Sequence, residues 1–194
     1  MVLALLKRKG NGVKRCVLFA FIIVLLIFKA GDIGRKIYPF PYRETITQHA
    51  VANNIDPNLL AALIKTESSF DPHANSPAGA RGLLQIMPDT GRWIAEQMGQ
   101  SDFKPDQLYN PETSIRMGAW YLANLKDEFK GNQTLMLAAY NAGRGNVKQW
   151  LENQHWTGES KNIDQIPFPE TRYYIRKVML NYKIYSYLYD GNKL

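Results

Sequence analysis

No stretch of this chain alternates apolar and polar residues as a strand would, and this most constrains its fold, because the apolar residues recur at helical spacing instead. In "PNLLAALIKTESSF", Leu60, Leu63 and Ile64 line one face of a helix that Asp56 caps and Pro57 opens. Proline is favoured at that position, where its missing N–H has no helical partner to lose. Asn110, Pro111 and Gly131 punctuate a longer helix over 111–130 in the same way. The spacing predicts further helices over 43–53, 90–98, 132–141, 145–153 and 170–189. Pro72 turns Asp71 away from helical geometry and opens a loop that runs to about Ile86. A polar, proline-bearing loop from Asn153 to Glu170 is long enough to act as a flap. The expected fold class is all-α, one domain over 43–194.

The formal charge of +7 suggests a nucleic-acid or anionic-surface partner until it is located. Residues 1–36 hold eight of the 24 Lys and Arg, and of the acidic residues only Asp32, which leaves 16 of each sign in the rest. No nucleic-acid partner is expected on that balance. The basic excess instead precedes "CVLFAFIIVLLIF", an apolar run of 13 residues from Cys16 to Phe28. That length suits the hydrophobic part of an export signal, whereas a full span takes about 20 residues. Phe28 stands where a cleavage site wants a small residue before Ala30, which favours an uncleaved signal anchor over 16–31, with Lys29 reaching for the interface. Cleavage, or a buried soluble helix, are the alternatives. With an anchor, 1–15 is a basic cytoplasmic tail, 32–42 a linker, and the domain a single-pass extracytoplasmic one. Cys16 is the only cysteine, so that domain uses no disulfide.

One residue breaks the helical stripe. Glu67 follows Leu60, Leu63 and Ile64 on the core side, near the helix end. A carboxyl lodged against apolar surface has its charged form disfavoured and can hold a proton at neutral pH, as the general acid of glycoside cleavage must. The bland alternative is a stripe that drifts and turns Glu67 to water. A second carboxylate is usual in glycoside hydrolysis. Asp71 is the nearest in sequence but reads better as a turn former before proline, and Glu170 reads equally as a first-turn glutamate favoured by the helix dipole. No metal site or cofactor is expected, since His49, His73 and His155 are scattered and no phosphate loop is present.

The stretches around Glu67 carry a resemblance. "ESSF", "NSPAGARGLLQIMPDT", "AAYNAG" and "ETRYYIRKV", in that order, resemble the lytic transglycosylases of the soluble-lytic-transglycosylase type, relatives of goose-type lysozyme. The resemblance implies a lysozyme-like helical fold acting on peptidoglycan glycan strands, at the β-1,4 bond between N-acetylmuramic acid and N-acetylglucosamine. It implies that Glu67 is the single catalytic acid, later a base on the muramic 6-hydroxyl, so that a 1,6-anhydro product forms without water. By the same resemblance Ser76 lies near the substrate's acetamido group, Gln85 and Met87 line the cleft, and Tyr140 hydrogen-bonds near Glu67 with Asn141 beside it. Glu170 would contact saccharide, with Tyr174 next to it. Without the motifs, Ser76 reads as a loop serine, and Met87 and Tyr140 as core. Leu84 and Asp89 depart from the family's usual methionine and small residue. A hydrolytic muramidase using water, and a non-catalytic wall-binding scaffold, are the competing readings. The sequence leaves the oligomeric state open.

Overall fold

The structure, a computed structural model, describes residues 14–21, 29 and 31–190. Most of the tail over 1–15 and half of the anchor over 16–31 lie outside the described residues. Among those described, no helix is long and apolar enough to cross a membrane. The chain divides into two compact units, Met1–Pro39 and Phe40–Leu194. Within the first, residues 14–21 and 31–37 are helical, and Arg35 pairs with Asp32 at 2.9 Å.

The second unit is helical throughout. Its elements are α1 (Arg43–Ala52), α2 (Pro57–Glu67), α3 (Pro88–Gln97), α4 (Pro111–Glu128), α5 (Gln133–Ala142), α6 (Arg144–Glu152) and α7 (Pro169–Tyr189). Short 3-10 helices, Pro105–Tyr109 and Ser160–Gln165, lie in connections where the sequence pattern predicts only loop. Each α-helix starts and stops within two residues of its expected bounds, because the capping chemistry is local. Asp56 accepts a hydrogen bond from the Asn58 amide at 2.8 Å, and Asn110 one from the Thr113 amide at 3.0 Å. Pro88 opens α3 as Pro57 and Pro111 open theirs. Among the described residues there are no strands, only isolated bridges joining Arg81 to Asn75 and to Ile86.

The core forms around α2, which is buried well beyond its expected stripe: Leu59 to Ile64 are all inaccessible or nearly so. A helix that is apolar on every side belongs in the centre of a domain. Leu60, Leu63 and Ile64 have 0% exposure, and burial of each contributes roughly 1.5–3 kcal/mol. Helix α7 packs along α2, bringing Ile175, Val178 and Tyr185 against it, while α1 packs on both α2 and α4. Side-chain hydrogen bonds tie α2 to α7 along its length. Tyr182 donates to Asp56 at 2.6 Å, Asn58 to Asp190 at 2.5 Å, and Asn181 to Thr66 at 2.9 Å.

The loop between α2 and α3 sends Leu83 and Leu84 into this core. Two glycines make room for it. Gly82 has φ +72°, and a Cβ there would lie 1.9 Å from the Leu108 carbonyl oxygen, so only glycine fits. A Cβ on Gly118 of α4 would lie 2.2 Å from the Leu84 side chain, so leucine packs directly on helix backbone.

Candidate active site

Glu67 is the last residue of α2, and the chain leaves the helix sharply after it. Ser69 and Phe70 have φ of 53° and 68°, a left-handed conformation that is costly without glycine. Ser68 supplies the compensation. Its hydroxyl lies 2.9 Å from the Leu83 carbonyl and 3.2 Å from that of Ile64, and it accepts from the Phe70 amide at 3.1 Å. Phe70 then buries its ring against Tyr185, at 6.3 Å between centroids. The strained turn thus folds the loop back over the end of α2 and forms a wall beside Glu67.

Tyr174 of α7 donates its hydroxyl proton to Glu67 Oε1 at 2.6 Å. Burial raises the Glu67 pKa from its ordinary 4.5 to about 7, although the Tyr174 hydrogen bond and the positive charge of Lys177 both pull it down. Position at a helix C-terminus, where a negative charge is disfavoured, acts in the same direction as burial. Burial and the neighbouring Glu67 charge push both Tyr174 and Tyr140 well above the usual tyrosine range. Each therefore remains a hydroxyl donor at neutral pH.

Tyr140 lies near Glu67 but donates to the Leu84 carbonyl at 2.8 Å, so the hydroxyl bound to Glu67 is that of Tyr174. Asn141 is exposed, and its Oδ1 accepts from the buried Thr171 hydroxyl at 2.7 Å. That contact leaves the amide N–H groups of Asn141 as the end available to a ligand. Ser76 Oγ accepts from the Ala80 amide at 2.9 Å, closing the loop on itself. Gln85, at φ 46°, donates to the Ala74 and Gly82 carbonyls at 3.0 and 2.9 Å, so it braces the loop. Met87 is 41% exposed just before α3, more than a core methionine would be. Glu170 is exposed in the first turn of α7, one turn before Tyr174.

Asp71 is a turn former. Its exposed carboxylate accepts from the His73 amide at 2.9 Å, which commits one oxygen to the loop. The two departures from the resembled family are accommodated without touching Glu67: Leu84 packs on Gly118, and Asp89 pairs with Arg92 on the surface. Sequence reasoning missed Ser68, Thr171 and Lys177. Thr171 and Lys177 fall within "ETRYYIRKV", and the placement of Lys177 three residues after Tyr174 on one helix face was the available signal.

With this geometry in place, residues 44–163 match the family described as Transglycosylase SLT domain. The chain belongs to that family. It is 35% identical over 167 residues to the soluble lytic murein transglycosylase of Salmonella typhimurium, covering 85% of this chain and 26% of that protein. The membrane-bound lytic murein transglycosylase D of Escherichia coli is 33% identical over 141 residues, covering 72% of this chain and 30% of its own length. The crystal structure of the 70 kDa soluble lytic transglycosylase from Escherichia coli superposes with a TM-score of 0.77 at 33% identity, over 85% of this chain and 27% of that one. The chain thus spans about a quarter of the length of the soluble relatives. The mainly helical architecture is that of the SLT domain.

Proposed function

We propose that this chain is a peptidoglycan lytic transglycosylase, cleaving the β-1,4 bond between N-acetylmuramic acid and N-acetylglucosamine without water. The carrying observation is Glu67: a buried carboxyl with pKa about 7, held by a hydroxyl donor at 2.6 Å. Protonated, it gives its proton to the glycosidic oxygen as the bond to the muramic C1 breaks. Ionised, it then takes the proton of the muramic 6-hydroxyl, whose oxygen bonds to C1 and closes the 1,6-anhydro ring. A nucleophile tethered to the reacting sugar needs no second carboxylate to activate it, and it gains the advantage of proximity over a free water.

Tyr174 supports the first stage, since its hydroxyl is a better partner for the ionised form and so eases proton release. Asn141, oriented by Thr171, offers amide donors to an acetamido carbonyl, and Ser76 retains its own hydroxyl proton for the same region. Gln85, Met87, Tyr140 and Glu170 line the path of the strand. The family and the named activity of the relatives support this reading over a scaffold. The basic residues ahead of the 16–28 apolar run support a single-pass anchor with the domain on the outer, cell-wall side.

The test is digestion of purified peptidoglycan by the full chain, with products read by mass. Anhydro-muramic ends, one water lighter than hydrolytic ends, are expected. Only reducing muramic ends would establish the hydrolytic muramidase instead, and no turnover by the parent chain would favour the scaffold.

A further inference from the structure

Helix α7 buries Tyr174, Ile175, Val178 and Tyr185 on the side that meets α2, and leaves another side bare. On the bare side Tyr173, Leu180 and Tyr187 are 67%, 58% and 71% exposed. Each follows the last by two helical turns, so with the half-buried Ile184 they form one narrow apolar stripe along the helix. Cations flank it. Lys177 lies along one edge, Arg176 and Lys183 along the other, and all three are exposed. Arg176 is held by Asp164 at 2.6 Å, and Glu170 in the first turn is the only acidic residue that α7 carries. Apolar side chains exposed singly are ordinary, but a continuous stripe of them marks a contact surface.

What covers such a face follows from its chemistry. A convex helix surface offers no concavity for a small ligand. A second copy of the chain is disfavoured, because two such faces would set Lys177 and Lys183 against like charges. An anionic lipid surface suits every part: tyrosine rings sit at the headgroup boundary, Leu180 and Ile184 enter the acyl region, and lysines reach lipid phosphates. The course of the chain brings such a surface to it. Phe40, where the folded unit begins, packs on this same helix, its ring centroid 5.5 Å from that of Tyr185 and 5.2 Å from that of Tyr189. The Arg43 guanidinium lies over the Phe40 and Tyr189 rings at 5.6 and 5.4 Å. The linker expected over 32–42 therefore meets the domain at the C-terminal end of α7, in the turn that carries Tyr187. Fully extended, the chain from Gly31 to Phe40 reaches about 30 Å, roughly the length of α7 itself.

We infer that the Tyr173–Leu180–Tyr187 face of α7 docks on the anionic bilayer in which the 16–31 segment is proposed to be anchored, an assignment that rests on the anchor reading and not on the Glu67 chemistry. The domain then lies against the membrane by one chosen side instead of swinging freely at the end of its tether. The experiment uses the full chain with Cys16→Ser, so that a polarity-sensitive fluorophore is attached at a single introduced cysteine. That cysteine is Leu180→Cys on the stripe or, separately, Ser101→Cys in the exposed turn after α3. Each labelled chain is reconstituted into vesicles of phosphatidylcholine and of mixed phosphatidylcholine and phosphatidylglycerol, and recovered by flotation.

A blue shift of emission at position 180 is expected in the anionic vesicles, with a smaller shift in the neutral ones and none at position 101 in either. Adding Lys183→Glu is expected to reduce the anionic shift toward the neutral one. A chain that floats while its probe at 180 emits as in water overturns the docked face and leaves the anchor standing. An equal shift at 101 also overturns it, and so does a shift at 180 that ignores lipid charge and grows with the protein-to-lipid ratio, which assigns the stripe to a second copy. A chain that floats with neither vesicle overturns the docked face and the anchor together.

Discussion

Helix α2 is tied to α7 at each end by a tyrosine and a carboxylate at 2.6 Å, and the two pairs have opposite characters. At the N-terminus, Asp56 accepts from Tyr182 and from the Asn58 amide, where exposed N–H groups and the helix dipole favour its negative charge. At the C-terminus, Glu67 accepts from Tyr174 where the dipole opposes the charge and burial removes the water that would stabilise it. The tyrosine partners respond alike: Tyr182 is pushed up to about 12 by burial and Asp56, and burial and Glu67 push Tyr174 well above the usual tyrosine range. The same residue pair is thus a structural clasp at one end and a proton-holding acid at the other. Solvation and helix polarity make the difference.

That contrast can be broken most forcefully at Glu67. Glu67→Gln keeps the shape and loses the proton, and is expected to lower turnover of peptidoglycan by roughly 10²–10⁴, read from muropeptide release. Its effect on stability has the opposite sign. A carboxyl whose pKa rises from 4.5 to about 7 on folding contributes stability that is fully present below pH 4.5 and is lost as pH rises through about 7. Parent and Glu67→Gln melting temperatures are therefore expected to diverge between pH 4.5 and about 7 in favour of the variant and to keep a constant gap above that, and a gap that does not widen across this window would contradict the burial argument. Parent activity should fall as pH rises through about 7 and the acid loses its proton.

Tyr174→Phe sharpens the comparison. Removing a donor to the charged form raises the Glu67 pKa further, which moves the upper limb of the pH–rate profile to higher pH while lowering kcat. At the other end, Asp56→Ala is expected to cost about 1–2 kcal/mol in denaturant unfolding, through loss of the cap and of the Tyr182 contact, and to leave the pH limb in place. Tyr182→Phe should cost least, about 0.5–1.5 kcal/mol, again with no shift of the limb. A displaced limb in either N-terminal variant would mean that the two ends of α2 are electrostatically coupled rather than separate.

Helix bounds were legible in the chain because Asp56–Pro57 and Asn110–Pro111 act on their own backbone. The misplaced Glu67 was legible because period alone locates a charge in an apolar stripe. The assignment of the hydrogen bond to Glu67 was not. Sequence blocks named Tyr140 and Tyr174 without saying which reaches the carboxylate; Tyr174 does, since contact between α2 and α7 depends on how two helices far apart in the chain cross. Likewise Asp71 is seen as a turn former only once the loop takes its position.

By itself, then, the sequence determined an all-α domain, its helix ends, the candidate acid and the family to which the blocks belong, all of which follow from local patterns and spacing. Only tertiary structure decided the acidity of Glu67, because its pKa depends on water excluded by α7 and by the loop over Ser68, and on donors and charges brought from more than a hundred residues away. Only tertiary structure, too, decided which side of α7 lies bare, since Tyr173, Leu180 and Tyr187 keep a helical period as regular as that of the residues α7 buries.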